Sequence, residues 1–469
     1  MENINIGILD YCILAIYVCL MLGVGFYFKA SAKMADYAVA DKKLGLSVLI
    51  GTFLATGIGG GVLTGSTGNG YAAGIMELPK LIALFGINIF LGLFMAGKMR
   101  KIGGFTAPQM LGKVYGKNCQ AIGGIFCIIF QMGSGIAAQY VALGTCFNVL
   151  LGIDARIGMA IGAVIIIIIT YSSGMWGVAI TDYIQFVFLG LGVLVATAVC
   201  FASADGWQGI ASAAPESYFE IDPVSSIKLL CSTSLAVLID GNRYSRFFSA
   251  KDAKTASRAA LITAVPQFLV GFFAMVMGLA ALVVLPAGTP KDMVFPSLLA
   301  ITIPTGLKGL CIGALIAAIL STADSYILTT STNVSIDIYK NLINPNATDT
   351  QTLKVTRFSV IGAGVVGLVF ALLLPDVIGL WTLSSTAYIG GCLIPMMYGL
   401  FSKKKKSYTA AMVAILGGGL FAVISEMSGF VLFDLPAIVY GIVISAVLLF
   451  LITPFAKDAK EVNVEVGTE

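Results

Sequence analysis

The chain has 469 residues, 58% of them hydrophobic and only 11% charged. A soluble domain carries about a quarter of charged residues, so this composition excludes a water-soluble enzyme or binding module and points to a bilayer. The net charge of +4 is dispersed over loops, which argues against a nucleic-acid partner, and the nine cysteines lie almost entirely in apolar stretches without paired spacing, as small buried hydrophobes do.

In chain order, thirteen apolar stretches are long enough to cross about 30 Å of hydrocarbon: 6–28, 45–74, 78–97, 118–149, 156–174, 177–203, 223–249, 256–285, 308–338, 354–374, 376–401, 408–427 and 433–456. The first lacks a basic flank before it and a small-residue cleavage site after it, so it reads as a retained span rather than a signal peptide. An odd number of crossings puts the termini on opposite sides. Of the 28 Lys and Arg residues, 23 fall at 29–43, 98–117, 243–258, 340–357, 403–406 and in the tail. The opposite side holds Lys80, Arg156, Lys228, Lys291 and Lys308, with Asp205, Glu216, Glu220 and Asp222. The positive-inside rule then predicts a multi-pass cell-membrane protein with its N-terminus outside and its C-terminus cytoplasmic. Lys403 to Lys406 read as a stop signal at a cytoplasmic helix end, and 457–469 as a disordered tail.

Two spans are expected to be discontinuous. The second carries Gly57-Ile58-Gly59-Gly60-Gly61 ahead of Thr64-Gly65-Ser66-Thr67-Gly68-Asn69-Gly70, and glycine weakens a helix by about 1 kcal/mol per residue relative to alanine. The seventh carries Ile239-Asp240-Gly241-Asn242-Arg243 late in an apolar segment. Unwound backbone survives at membrane depth only where it lines a cavity or is covered by protein. The second span opens one group of five and the seventh another; because five is odd, the second group enters from the opposite face. Interruptions at corresponding positions of two inverted halves point to a transporter binding site. The chain divides accordingly into a peripheral first helix and cytoplasmic loop (1–44), a first five-helix repeat (45–203), a second inverted repeat (204–401), two peripheral C-terminal helices (402–456) and the tail (457–469).

The ninth span contributes Ser321-Thr322-Ala323-Asp324-Ser325, whose hydroxyls and carboxylate fall mostly on one helical face. An intramembrane carboxylate marks a functional site, and hard oxygen ligands in a dry bundle suit an alkali cation. The competing reading has the hydroxyls bonded back to carbonyls one turn earlier. The absence of histidine removes the commonest proton-relay residue and leans towards sodium.

Several of these segments resemble the sodium:solute symporter family: Ala55-Thr56-Gly57-Ile58 with its Gly-rich continuation, Thr181-Asp182-Tyr183-Ile184-Gln185, Arg246-Phe247-Phe248-Ser249-Ala250-Lys251, and Ser321 to Ser325 leading to Asp337-Ile338-Tyr339. The resemblance covers nearly the whole chain. It implies an all-α membrane protein with a LeuT-type 5+5 inverted-repeat core and sodium-driven uptake. It also implies a sodium site made by carbonyls of Ala55, Ile58 and Ala318 with hydroxyls of Ser321 and Thr322. A second sodium position would fall among Asp182, Ser321, Asp324 and Ser325, although Asp182 also reads as an interfacial residue at a short cytoplasmic turn. Na+ is the only cofactor implied. The partners are a small organic solute, sodium and the lipid bilayer, with the chain acting as a monomer or weak oligomer.

Gly59, Gly60, Gly61, Val62, Asp240, Gln131 and Trp381 are the candidate solute-binding residues, with Tyr71 and Gln139 as further polar positions on core spans. Gly61 and Val62 stand where sugar-transporting relatives carry polar contacts, which disfavours a sugar. Asp240 stands where such relatives carry a neutral amide. A carboxylate there favours an amine-bearing solute such as an amino acid or quaternary ammonium, unless it pairs structurally with Arg243 or Arg246. Uptake of an organic carboxylate or vitamin-like solute is the alternative within the class, and a passive channel or facilitator the alternative outside it. No nucleophile with a base and no phosphate loop suggests an enzyme.

Overall fold

A computed structural model describes residues 7–28, 33–373, 377–430 and 435–461. Those residues form helices joined by short turns, with two isolated backbone bridges, Leu44 with Ala250 and Lys406 with Lys460. Among them eight helical runs are long and apolar enough to cross a membrane, and two shorter apolar helices accompany these. The first helix, α1 (Ile8–Tyr27), is peripheral and exposes Ile8, Leu9 and Ile16.

The second span is broken as expected: α2 (Leu46–Gly57) stops, Ile58 (φ −114°, ψ 55°) and Gly59 (φ −70°, ψ 177°) leave helical geometry, and α3 (Gly60–Ala73) restarts. Helix α4 (Leu78–Phe90) follows, then α5 (Lys117–Phe130) and α6 (Ala138–Leu151), joined by a π-helical turn at Gln131–Ala137. The stretches 156–174 and 177–203 are the two helical halves of the 49-residue run α7 (Ala155–Ser203), which meet at a sharp kink. At about 1.5 Å per residue a straight helix of that length would exceed twice the hydrocarbon thickness. The bend is taken by Gly174 alone (φ 56°, ψ −154°), a conformation that glycine adopts without a Cβ penalty; a Cβ there would lie 2.7 Å from Tyr37 O.

The seventh span is broken as well. Its first part, Pro223–Leu238, passes from α-helix through π- and 3-10 turns, Asp240 is extended, and α8 (Gly241–Ser249) restarts with the Asp240 carboxylate as its cap. Arg243 and Arg246 therefore do not belong to a cytoplasmic loop. They lie on α8: the buried Arg246 pairs with Asp182 of α7, and Arg243 meets Asn88 of α4 and, as a loose ion pair, the Asp240 cap of its own helix. The remaining basic residues still carry the asymmetry.

Helices α9 (Ala253–Val284), α10 (Lys308–Asn333), α11 (Asp349–Leu373), α12 (Val377–Phe401), α13 (Tyr408–Ser428) and α14 (Ala437–Ile452) follow, with a shorter helix at Lys291–Thr302 between α9 and α10. Almost every residue of α10 is buried, so it is the central helix. Outer helices expose apolar residues at helical spacing, such as Val187, Leu191 and Leu194 on α7 and Val365, Val369 and Phe370 on α11, which hydrocarbon accepts and water does not. α12, α13 and α14 meet through small residues: a Cβ on Gly418 would sit 2.6 Å from Gly390 O, and one on Gly441 2.8 Å from Gly418 O.

The start of the tail is ordered, contrary to expectation. Asp458 accepts from Ser407 Oγ (2.8 Å) and Thr409 N (2.9 Å) at the start of α13, and Lys406 and Lys460 exchange two backbone hydrogen bonds. Residues 462–469 lie outside the described part.

Candidate functional site

Where α2 ends, the carbonyls of its last turn have no intrahelical partner. Two hydroxyls of α10 reach them. Ser321 Oγ lies 3.0 Å from Ala55 O, and Thr322 Oγ1 lies 3.4 Å from Thr56 O. The same hydroxyls are 3.1 and 3.0 Å from Ala318 O on their own helix, so back-bonding and the cross-helix contact coexist. A hydroxyl has one proton and two lone pairs, so with two carbonyls in reach of each proton the oxygens still have lone pairs to offer a cation. Ala55, Ala318, Ser321 and Thr322 thus converge on one spot at the break. Ile58 lies in the break itself, between Thr56 and Gly59, and a Cβ on Gly59 would stand 2.4 Å from Thr322 Oγ1. The set is neutral and entirely oxygen, which suits a hard monovalent cation.

A charged cluster adjoins this spot. Asp182 is buried within the protein, on the half of α7 that follows the kink at Gly174. Its Oδ2 accepts from Thr52 Oγ1 (2.5 Å), Thr56 Oγ1 (3.3 Å) and Arg246 Nη2 (3.3 Å), while its Oδ1 has no hydrogen-bond partner among the described residues. Arg246 Nη2 also donates to Ser325 Oγ and to Thr56 Oγ1 (2.8 Å). Asp182 and Ser325 are therefore brought together around Arg246. Asp324 is buried on the same helix turn, with Oδ1 unpaired among the described residues.

The two breaks face each other. A cavity of about 10 Å³, room for about one water, is lined by Phe53, Thr56 and Gly57 of α2 and by Asp240, Asn242, Arg243 and Arg246 at the start of α8. Asp240 Oδ1 accepts from Asn242 N (3.1 Å), and Oδ2 stands 4.0 Å from Arg243 Nε. Arg243 Nη1 donates to Asn88 Oδ1 of α4 (2.5 Å); Asn88 Nδ2 donates to Gln267 Oε1 of α9 (2.8 Å), and Gln267 Nε2 to Phe53 O (3.2 Å).

The other candidates spread out. Gln131 is buried beneath the second break, where a Cβ on Gly241 would lie 2.5 Å from its Nε2, and it accepts from Thr330 Oγ1 (3.0 Å) and Asn333 Nδ2 (3.2 Å). Gln139 backs Gly60, 3.1 Å from where its Cβ would be. Gly61 is exposed beside open space and Val62 half-buried, so neither offers more than backbone and shape. Tyr71 donates to Pro286 O (3.0 Å) on an exposed surface, away from the breaks. Trp381 lies on α12, and its side chain is outside the described part.

Sequence reasoning missed Thr52, Asn88 and Gln267, and read Arg246 as a loop charge or a partner for Asp240. Asn88 and Gln267 had a signal, an isolated amide inside an apolar run. Arg246 sits among Tyr244, Phe247 and Phe248, an aromatic setting foreign to a loop.

Residues 37–418 match the sodium:solute symporter family. The chain belongs to this family. Its curated relatives include the Vibrio parahaemolyticus sodium/glucose cotransporter, 27% identical over 90% of this chain and 86% of that one. The human high affinity choline transporter 1 is 30% identical over 82% and 69%. A Staphylococcus aureus sodium/proline symporter is 22% identical over 97% and 94%. Among solved structures, a Na+-coupled sialic acid symporter in a substrate-bound, outward-open state superposes with a TM-score of 0.84 at 22% identity, covering 97% of this chain and all of the other. A nucleobase-cation-symport-1 transporter matches with a TM-score of 0.59 at 13% identity, covering 93% of this chain and 97% of that one. Such likenesses establish the fold, the LeuT-type arrangement of sodium symporters. The symporter is a sodium-coupled membrane transporter and not an enzyme.

Proposed function

We propose that this symporter takes up a small amine-bearing organic solute by alternating access, driven by sodium bound at Ala55, Ile58, Ala318, Ser321 and Thr322. The observation that carries this reading is the meeting of the Ser321 and Thr322 hydroxyls with the α2 carbonyls at the break. Sodium held there would tie α2 to α10, so ion binding and the position of the broken helix become one equilibrium, as coupling requires. A second sodium position among Asp182, Ser321, Asp324 and Ser325 is supported by the unpaired oxygens of both carboxylates.

The proposed frame is thirteen crossings, with the N-terminus outside, the C-terminus cytoplasmic and repeats at 45–203 and 204–401. In it, Arg246 with Asp182, Thr56 and Ser325 forms a polar plug on the cytoplasmic side of the ion site, which an inward-open state must part. For the solute, Asp240 on the cavity wall favours an amine. A second reading, an organic carboxylate, is favoured by Arg243 on the same wall. The chain is proposed to act as a monomer or weak oligomer. The test is accumulation of solutes by proteoliposomes with an inward sodium gradient and with potassium in its place. Sodium-dependent accumulation supports the reading, and equal accumulation in both indicates a facilitator.

A further inference from the structure

Resting on the reading that the two breaks bound the solute, we infer that the solute is a zwitterion whose carboxylate is bound by Arg243, with Asp240 taking the ammonium. Two guanidiniums line the cavity, and the structure treats them differently. Arg246 is consumed: a carboxylate, four hydroxyls and the Asn242 carbonyl accept from it. Arg243 is held mainly by neutral groups, its ion pair with Asp240 being loose at 4.0 Å. Its Nη1 is held by the neutral amide of Asn88, itself held by Gln267, which is anchored on Phe53 O. Each amide in that strut has its direction set by its neighbour, so the guanidinium plane is fixed by groups that carry no charge. Nη2 points at the first break, 3.5 Å from where a Cβ on Gly57 would be.

Asp240 is the nearest counter-charge, and it does not close on Arg243. The separation of 4.0 Å is outside hydrogen-bonding range, and one carboxylate oxygen is engaged as the cap of α8. A purely structural pair three residues apart on a helix start would gain by closing to a direct, charge-assisted contact. Here both side chains instead keep 12–13% exposure on either side of a shared cavity. A planar guanidinium fork matches a carboxylate in two-point fashion, and the free Asp240 oxygen matches an ammonium. Charge balance selects the same class. A zwitterion leaves the neutral Asp240–Arg243 pair neutral, whereas a lone cation brings a positive charge to a wall bearing two guanidiniums beside a sodium site. A lone anion leaves Asp240 facing it. The cavity must widen to admit any solute, and alternating access supplies that step.

The experiment loads proteoliposomes containing the full chain with four pools and reads accumulated solute by mass spectrometry. The pools are free amino acids with glycine betaine; amino-acid amides with choline; N-acetyl amino acids; and hexoses. Wild-type protein should accumulate members of the first pool alone. Arg243→Gln should raise the half-saturating concentration of the accumulated solute by about 30-fold, with Arg243→Lys between the two, because a desolvated charge partner is lost and the lysine restores charge without the fork. The half-saturating sodium concentration should stay within about 2-fold. Accumulation of choline, amides, N-acetyl derivatives or hexoses to the same extent overturns the inference, as does wild-type affinity in Arg243→Gln. If that variant fails to reach the membrane, the wild-type selectivity among pools still decides. A different pool accumulated only with sodium removes this inference and leaves the sodium-coupled reading. The first pool accumulated equally in potassium does the reverse.

Discussion

Replacing Gly59 by alanine perturbs the proposed sodium site without replacing any of its ligands. The new Cβ would lie 2.4 Å from Thr322 Oγ1, 3.0 Å from its Cβ and 3.1 Å from its Cγ2, where ordinary contacts begin at 3.4 Å. Thr322 must therefore withdraw by about 1 Å, and it cannot do so by rotation alone, since its Cβ, which χ1 does not move, is itself only 3.0 Å away. The hydroxyl then leaves both Thr56 O and Ala318 O, contacts of 3.4 and 3.0 Å. Loss of one ligand oxygen at about 1.4 kcal/mol corresponds to about a 10-fold weaker sodium affinity. Sodium-dependent thermal stabilisation of the purified protein measures this without knowledge of the solute. Gly65→Ala is the control, because open space surrounds that position. Gly59→Ala should shift the sodium midpoint about 10-fold upward while Gly65→Ala leaves it unchanged. A folded Gly59→Ala protein with the wild-type midpoint would refute the site.

Asp182→Asn leaves Arg246 buried without its carboxylate and should destabilise the protein by about 3–5 kcal/mol. Asp182→Asn combined with Arg246→Gln should recover much of that, and strictly additive losses of unfolding temperature would contradict the pairing. For topology, a single cysteine at the exposed Glu216 in a cysteine-depleted background should react with an impermeant maleimide in intact cells, and one at the exposed Lys404 should not; reversed labelling would invert the orientation. Asp252 caps α9, and the hydrogen bond it accepts from Thr255 N holds its carboxyl below the ordinary carboxylate range. A depressed folded value means that the stabilisation is present above the unfolded pKa and lost as pH falls through the folded one. The stability difference between wild type and Asp252→Ala should be flat above about pH 5 and shrink below about pH 4; a difference that grows on acidification would contradict this.

Much of the architecture was legible because its signals are local. Glycine density at Gly57–Gly61 and a cap residue followed by glycine at Asp240–Gly241 announce helix breaks without tertiary information. The Ser321–Thr322 pair announces itself because hydroxyls and a carboxylate at membrane depth need partners. What the sequence hid depends on contacts between distant segments. Arg246 carries the same letter as a loop arginine, and only the approach of α7 with Asp182, 64 residues away, makes it a core residue. The break between 156–174 and 177–203 was legible, but not that Gly174 makes it by its backbone alone, without a loop. The Asn88–Gln267 strut joins residues 179 apart, each reading as an isolated polar residue. Asp458 holds the start of the tail through Ser407 and Thr409, a capping contact that charge content alone cannot reveal.

The most direct test of the coupling site is equilibrium binding of radioactive sodium to purified wild-type protein and to Ser321→Ala and Thr322→Ala. Wild-type protein should bind sodium saturably, and each variant, with unchanged abundance and fold, should require about 10-fold more sodium for half-saturation. Indistinguishable binding by all three proteins would contradict the assignment of the ion to the break between α2 and α3.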